Sequence, residues 1–402
     1  MFADRYIDRN VVYPAFIRTP VPPSLSTIVM IPCLHEPEII RTLESLWACD
    51  PVNSACEVIV AVNDSESSRP EIKKFNQETF GQLMAWKGKN DRPDFTLHPI
   101  YASDVNARHA GAGMARKIGM DEAIRRFNGL NRPDGVIISL DADCLVSSNY
   151  LKSIEAYFTR DKTNFAATIR FSHRIDEVLD PRQRKGIQLY EDYLRYYKQA
   201  HDFTGFPNSI FTIGSAFAVR AEAYVKQGGM NRRQAGEDFY FLNKLTHLGR
   251  VGEINEACVY PSARVSDRVP FGTGAAMSKW MNEDGDLALT YNFTAFNDLK
   301  FLFDSVDGLF RIDSRDLEIK RAEWPVSVQE YLAKINFSLK LQEVNTNSST
   351  LFSFKKRFFQ FFDAFLMMRF LNESHPGFYP RQNLYEAIMQ LQEQSKIGGK
   401  IE

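Results

Sequence analysis

Residues 134–144, DGVIISLDADC, decide how the rest of the chain reads. An apolar, β-branched run of this length between turn signals predicts a buried strand. It ends in two aspartates one residue apart, Asp141 and Asp143. Two carboxylates at a strand mouth repel each other, and a hard divalent cation that also takes substrate phosphate oxygens relieves that repulsion. The spacing alone is also compatible with a solvated turn or a helix cap. A second copy, Asp284-Gly285-Asp286, follows no strand.

Outward from this strand the chain alternates. Upstream lie the strand-like STIVMIP (26–32), the periodic EIIRTLESLWA (38–48), CEVIVAVN (56–63), FTLHPIYA (95–102) and the helical AGMARKIGMDEAIRRF (112–127). Strand and helix patterns taking turns predict βαβ units and a largely parallel sheet. Ligands of such sheets sit at the carboxyl ends of the strands. The polar loops CLHEPE (33–38), NDSESS (63–68) and DADC (141–144) all fall there.

Downstream, residues 209–250 carry small residues, a strand-like AFAVR, a GGM turn and then Gly236-Glu237-Asp238 opening another helix. An acidic pair at a helix start complements the dipole whether or not it does chemistry.

These pieces, in this order over residues 25–260, resemble the inverting GT-A glycosyltransferases of the family 2 type. TIVMIPCLHEPEIIRTLESL resembles that family's opening strand, proline-containing loop and helix, EVIVAVNDSES its nucleoside loop, and GAGMARKIGMDEA the helix after its A-R-N-x-G-like stretch. DGVIISLDADC resembles its metal strand, and GSAFAVRAEAYVKQGGMNRRQAGEDFYFLNKL its acceptor and base region. The resemblance implies an α/β GT-A fold, Rossmann-like, with a mostly parallel sheet, flanking helices and an α-helical C-terminal extension. It implies transfer of a sugar from a nucleoside diphosphate to a hydroxyl of a glycan, lipid-linked or other acceptor.

By the same resemblance Asp143 binds Mn2+ or Mg2+, Asp141 faces the ribose or the metal, Asp238 is the general base and Glu237 holds the acceptor. The donor site would be lined by Pro32, Glu36, Asn63, Asp64, Arg116 and Asp141. Where the family has paired acids after its second strand, this chain has Asn63 before Asp64. No Q-x-x-R-W-like motif follows the base, so processive synthesis across a membrane is not expected.

Residues 260–280, YPSARVSDRVPFGTGAAMSKW, lie where many GT-A enzymes close a loop over the donor. Arg264 and Arg268 could clamp a diphosphate through forked guanidinium contacts, and FGTGAA could bring backbone amides to an anion. An ordinary surface turn fits the same pattern. Arg116 and Lys117 read either as phosphate contacts or, the plainer expectation, as a solvated helix face. His35 and His109 are taken as packing residues, and Trp280 as core.

The remaining features set bounds. The 402 residues are 44% hydrophobic and 25% charged with a formal net charge of −1, which fits a globular protein and offers no basic surplus for nucleic acid. Five scattered cysteines without C-x-x-C spacing point to reduced thiols. With no signal-peptide pattern at the N-terminus and no apolar run of spanning length, a cytoplasmic protein is expected, with contact at the inner face of the membrane or a homodimer as further options.

The expected domains are a GT-A domain over 1–280 and a helical region over 281–402. Within the latter, Phe354, Phe358, Phe361, Phe362 and Phe365 fall on one helical face, which suits packing, a second subunit or a membrane surface. A non-catalytic nucleotide-sugar-binding scaffold is the alternative function. A sugar-1-phosphate nucleotidyltransferase ranks lower, because IPCLHEPEII offers no glycine, and no base before Arg41.

Overall fold

The computed structural model describes residues 1–233, 236–266 and 272–397. Two compact units emerge, one of residues 1–178 with 212–275, the other of 179–211 with 276–402.

The first unit holds an eight-stranded sheet: β1 (Leu25–Cys33), β2 (Ala55–Ser65), β3 (Phe95–Val105), β4 (Val136–Ser139), β5 (Leu145–Val146), β6 (Ala166–Phe171), β7 (Phe217–Arg220) and β8 (Gly252–Tyr260). The strand order is β3-β2-β1-β4-β7-β6-β8-β5. β1 pairs in parallel with both β2 and β4, and β2 with β3, while β7 runs antiparallel to β4 and β6. The flanking helices are α1 (Asp4–Asn10), α2 (Ile39–Trp47), α3 (Pro70–Asn90), α4 (Ala112–Gly129), α5 (Tyr150–Arg160), and, after the second unit's α6 (Pro181–Phe203), α7 (Ala221–Lys226) and α8 (Glu237–Leu245).

Every residue of β2 is buried, charged Glu57 and Asp64 included, as a parallel strand covered on both faces requires. This is the mixed α/β arrangement, with a mostly parallel sheet, that the sequence leads one to expect. The chain runs from β1 outward to β3 and then returns to place β4 on the other side of β1. That reversal falls between β1 and β4, and the carboxyl ends of strands at such a reversal are the usual ligand position of a doubly wound sheet.

α4 departs from expectation. Its many charged residues read as a solvated face, yet Arg116, Lys117, Asp121, Glu122 and Arg126 are all buried. Burial of so many charges requires partners. Lys117 pairs with Asp121 at 2.8 Å, and Asp121 accepts from Tyr6 and Tyr224 hydroxyls at 2.7 and 2.9 Å. Arg126 forks onto Glu57. The expected solvated face at Arg116 and Lys117 is therefore overturned, because α1, α7 and α8 also pack on this helix.

The second unit is helical: α6, most of α9 (Thr273–Met281), α10 (Phe293–Asp304), α11 (Ser314–Glu323), α12 (Val326–Lys334), α13 (Phe337–Thr346), α14 (Leu351–Phe361), α15 (Ala364–Ser374) and α16 (Leu384–Ile397), with a small β9–β10 pair (Leu289–Thr290, Gln382–Asn383). The phenylalanine face is core. Phe354, Phe358 and Phe362 are fully buried, with Phe310 5.5 Å from Phe354 and Phe303 5.4 Å from Phe362. Asp363 caps α15 by accepting from the Leu366 amide, so the run splits into two helices and Phe361 and Phe365 stay half-buried. Trp280 donates to the Arg182 carbonyl at 2.9 Å. Among the described residues no helix is long and apolar enough to cross a membrane, and all five cysteines are free thiols.

Candidate active site

Three chain segments meet at the carboxyl edge of β1 and β4, and side chains from remote parts of the sequence hold them together. After β4, Asp141 and Asp143 sit on a tight turn closed by the Cys144 amide on the Asp141 carbonyl at 3.1 Å. α2 steadies this turn through Thr42, whose hydroxyl donates to the Ala142 carbonyl at 2.8 Å. Both aspartates remain partly open, with side chains 36% and 25% exposed, enough for a ligand to reach them.

Arg116, buried in the first turns of α4, is the hub. Its guanidinium donates to Asp141 at 2.7 Å, to Glu237 at 2.9 Å and to the Ser139 hydroxyl at 2.9 Å. Burial works against its charge, but the carboxylates of Asp141, Glu237 and Asp238 outweigh that and raise its pKa. One guanidinium thus ties the end of β4 to the start of α8. Glycines make the approach feasible: a Cβ on Gly113 would lie 2.2 Å from the Arg233 carbonyl oxygen, and one on Gly214 would lie 2.4 Å from an Arg116 nitrogen and 3.1 Å from an Asp238 oxygen.

Asp238 is different from its neighbours. It is only partly accessible, and its Oδ1 accepts from the Phe239 amide at 2.7 Å. Burial, then the adjacent Glu237 charge, push its pKa up to about 6, with Arg116 pulling the other way. A carboxylate poised this near neutrality suits proton removal. Glu237, by contrast, is buried and turned onto Arg116.

At the mouth of β1, Glu36 is buried and forks onto Arg264, at 2.7 Å through Nη1 and closer through Nη2. The same Nη2 lies 3.1 Å from Asp143. Arg174 donates to Glu38 at 3.0 Å and to the Asp143 carbonyl at 3.1 Å. Pro32 lies within β1 and is half-buried.

Asp64 is buried at the end of β2, accepting from the Tyr101 hydroxyl at 2.5 Å and the Asp104 amide at 3.0 Å. The Asn63 carbonyl accepts from Asn76 at 2.9 Å, and Asn76 in turn accepts from the His35 amide. Arg268 lies outside the described residues, as does Phe271 of the glycine-rich stretch. His109 is half-buried on the loop before α4. The second D-x-D forms an exposed turn in which Asp286 accepts from the Ala288 amide.

The structure therefore brings Glu36, Arg116, Asp141, Asp143, Glu237, Asp238 and Arg264 into one linked set. Sequence reasoning missed Ser139, Arg174, Asn76 and the direct part of Gly214. None carries a local pattern, although a glycine just ahead of a strand was visible. Among the described residues no group of three metal-ligating side chains gathers. Two hard, partly exposed carboxylates nonetheless fit the class of cation that completes its shell with water and substrate phosphate oxygens.

The profile of the family described as Glycosyltransferase like family 2 matches residues 22–252. Comparison with curated protein sequences finds no significant match. Among solved structures, the chain is similar to residues 1–349 of TarS from S. aureus in complex with UDP-GlcNAc, at 14% identity over 73% of this chain and 78% of that one, with a TM-score of 0.41. A second similar structure is the mannosyltransferase PcManGT from Pyrobaculum calidifontis in complex with GDP-Man and Mn2+, at 19% identity, 66% and 63% coverage and a TM-score of 0.37. With the profile spanning the whole set of site residues up to α8, the chain belongs to the glycosyltransferase family 2-like enzymes.

Proposed function

We propose that this glycosyltransferase moves a sugar from a nucleoside-diphosphate donor to an acceptor hydroxyl with inversion at the anomeric carbon. The observation that carries the reading is the Arg116 bridge, which joins the aspartate turn after β4 to the helix start that bears Asp238. Asp141 and Asp143 would hold a divalent cation. Such a cation, when bound, neutralises charge developing on the departing diphosphate.

Asp238 takes the proton from the acceptor hydroxyl as that oxygen attacks. A single base serving the acceptor fits one displacement, which inverts the centre. Glu237 acts through Arg116, fixing the guanidinium so that Asp141 is held and the Asp238 carboxylate has a stabilising charge beside it. Gly214 keeps the space in front of Asp238 clear. Pro32 near the end of β1, Glu36 just beyond it, and Asn63 and Asp64 at the end of β2 would line the donor end, with Asp64 and its partner Tyr101 forming part of the wall for the nucleobase.

The test is turnover of UDP, GDP, CMP and dTDP sugars, each with and without Mn2+ or Mg2+, by wild type and Asp238→Asn. Cation-dependent release of nucleotide that Asp238→Asn abolishes, while a thermal shift by the same nucleotide persists, is the expected result. Normal turnover by Asp238→Asn would remove the base assignment.

A further inference from the structure

Resting on the donor-site reading above, we propose that Arg264 is a tethered occupant of the cation position on Asp143, held in reserve by Glu36, so that cation and donor diphosphate bind cooperatively. The two ends of this contact differ. Glu36 is fixed, being buried and also accepting the Glu38 amide at 2.9 Å. Arg264 is a quarter exposed and arrives from the segment after β8. A guanidinium is a planar fork, so once Nη1 and Nη2 engage Glu36, the remaining reach of Nη2 is set, and it ends on Asp143 Oδ2 at 3.1 Å.

A guanidinium stays protonated at any working pH, so Arg264 is a permanent cation beside Asp143. The carboxylate lone pairs that accept Nη2–H are the ones a divalent cation would use, and two positive charges cannot share them without repulsion. A cation alone must therefore displace Arg264 from Asp143. A diphosphate offers Arg264 new acceptors in the forked geometry that guanidinium prefers. Moving Arg264 onto phosphate removes its competing charge from Asp143, and by linkage each ligand strengthens the other's binding equally. Glu36 keeps one arm of the fork near the site, which limits how far Arg264 travels.

The experiment is Mn2+ binding to the intact chain without nucleotide, followed by the electron paramagnetic resonance signal of free Mn2+, with folding confirmed by circular dichroism. Wild type should bind weakly, and Arg264→Gln about tenfold more tightly, within the usual range of coupling. The double variant Glu36→Gln with Arg264→Gln should show the same gain, and Asp143→Asn should lose binding. A gain in the single but not the double variant would mean that Glu36, released from Arg264, had become a new ligand, overturning the proposal. Equal binding by wild type, Arg264→Gln and the double variant, with loss in Asp143→Asn, would overturn it while leaving the cation site intact. No Mn2+ binding by any form, or binding that ignores Asp143→Asn, would remove the cation site and the proposal together.

Discussion

α4 carries two buried arginines ten residues apart, and they serve opposite ends. Arg126 forks onto Glu57, with His98 3.4 Å from the same carboxylate, and donates to the Thr19 carbonyl at 3.1 Å. The Glu57 carboxyl is buried, which by itself raises its pKa, but His98 and Arg126 hold it below the ordinary value. Arg116 binds as many groups, yet beside it Asp238 stays partly accessible with its pKa pushed up to about 6. A buried charge cluster is not in itself a functional signal. The signal is a carboxylate that the cluster crowds but does not satisfy.

Replacing Asp238 with Asn should break the active side of this comparison most severely, lowering the transfer rate by about 10²–10⁴-fold with little effect on folding, as initial rates and a urea melt would register. On the structural side, Arg126→Met leaves the buried Glu57 with only His98 of the two partners named above, and should cost about 3–5 kcal/mol in urea unfolding while the rate per folded molecule stays near that of wild type. A collapse of the specific rate in folded Arg126→Met would erase the contrast.

Gly214→Ala should sit between the two, because the new methyl meets both Arg116 and Asp238. The expected loss is about 10²-fold in rate, as for small misplacements of reacting groups, with about 1–3 kcal/mol of overpacking seen in the melt.

pH separates the clusters by sign. Asp238 has a folded pKa above its unfolded one, so the folded state binds more protons, and its contribution to stability falls as pH rises from about 4 to about 6 and is flat above. Glu57 has a lowered folded pKa, so its contribution is present above the unfolded value and is lost as pH falls through the folded one. Asp238→Asn should remove the first slope and Glu57→Gln the second, in urea melts between pH 3 and 7. Turnover should show an acidic limb near pH 6. The smallest effect belongs to Asp284→Asn, in the exposed second D-x-D: within about 0.5 kcal/mol in stability and no change in cation dependence, which a shared assay with Asp143→Asn would check.

Much of the sheet was legible because buried parallel strands such as VIISL and EVIVAVN read as continuous apolar runs, and their polar ends mark the ligand edge. Asp141, Asp143 and Asp238 stood out for the same reason, as acids next to element boundaries. The ionic face of α4 was not legible. Its charged residues read as a solvated face, and the packing of α1, α7 and α8 on this helix is what no local pattern announced. The continuous aromatic helix expected over 354–365 likewise could not reveal that Asp363 would cap a new helix.

From local pattern alone, the chain's own order of residues determined the α/β alternation, the position of the aspartate turn and the acidic opening of α8, since periodicity and element ends depend on neighbours in sequence. Tertiary structure decided which charges meet. Arg116 with Glu237 spans 121 residues and Arg264 with Glu36 spans 228. Such pairings form only where the strand order reverses and remote segments converge, and no local spacing encodes that convergence.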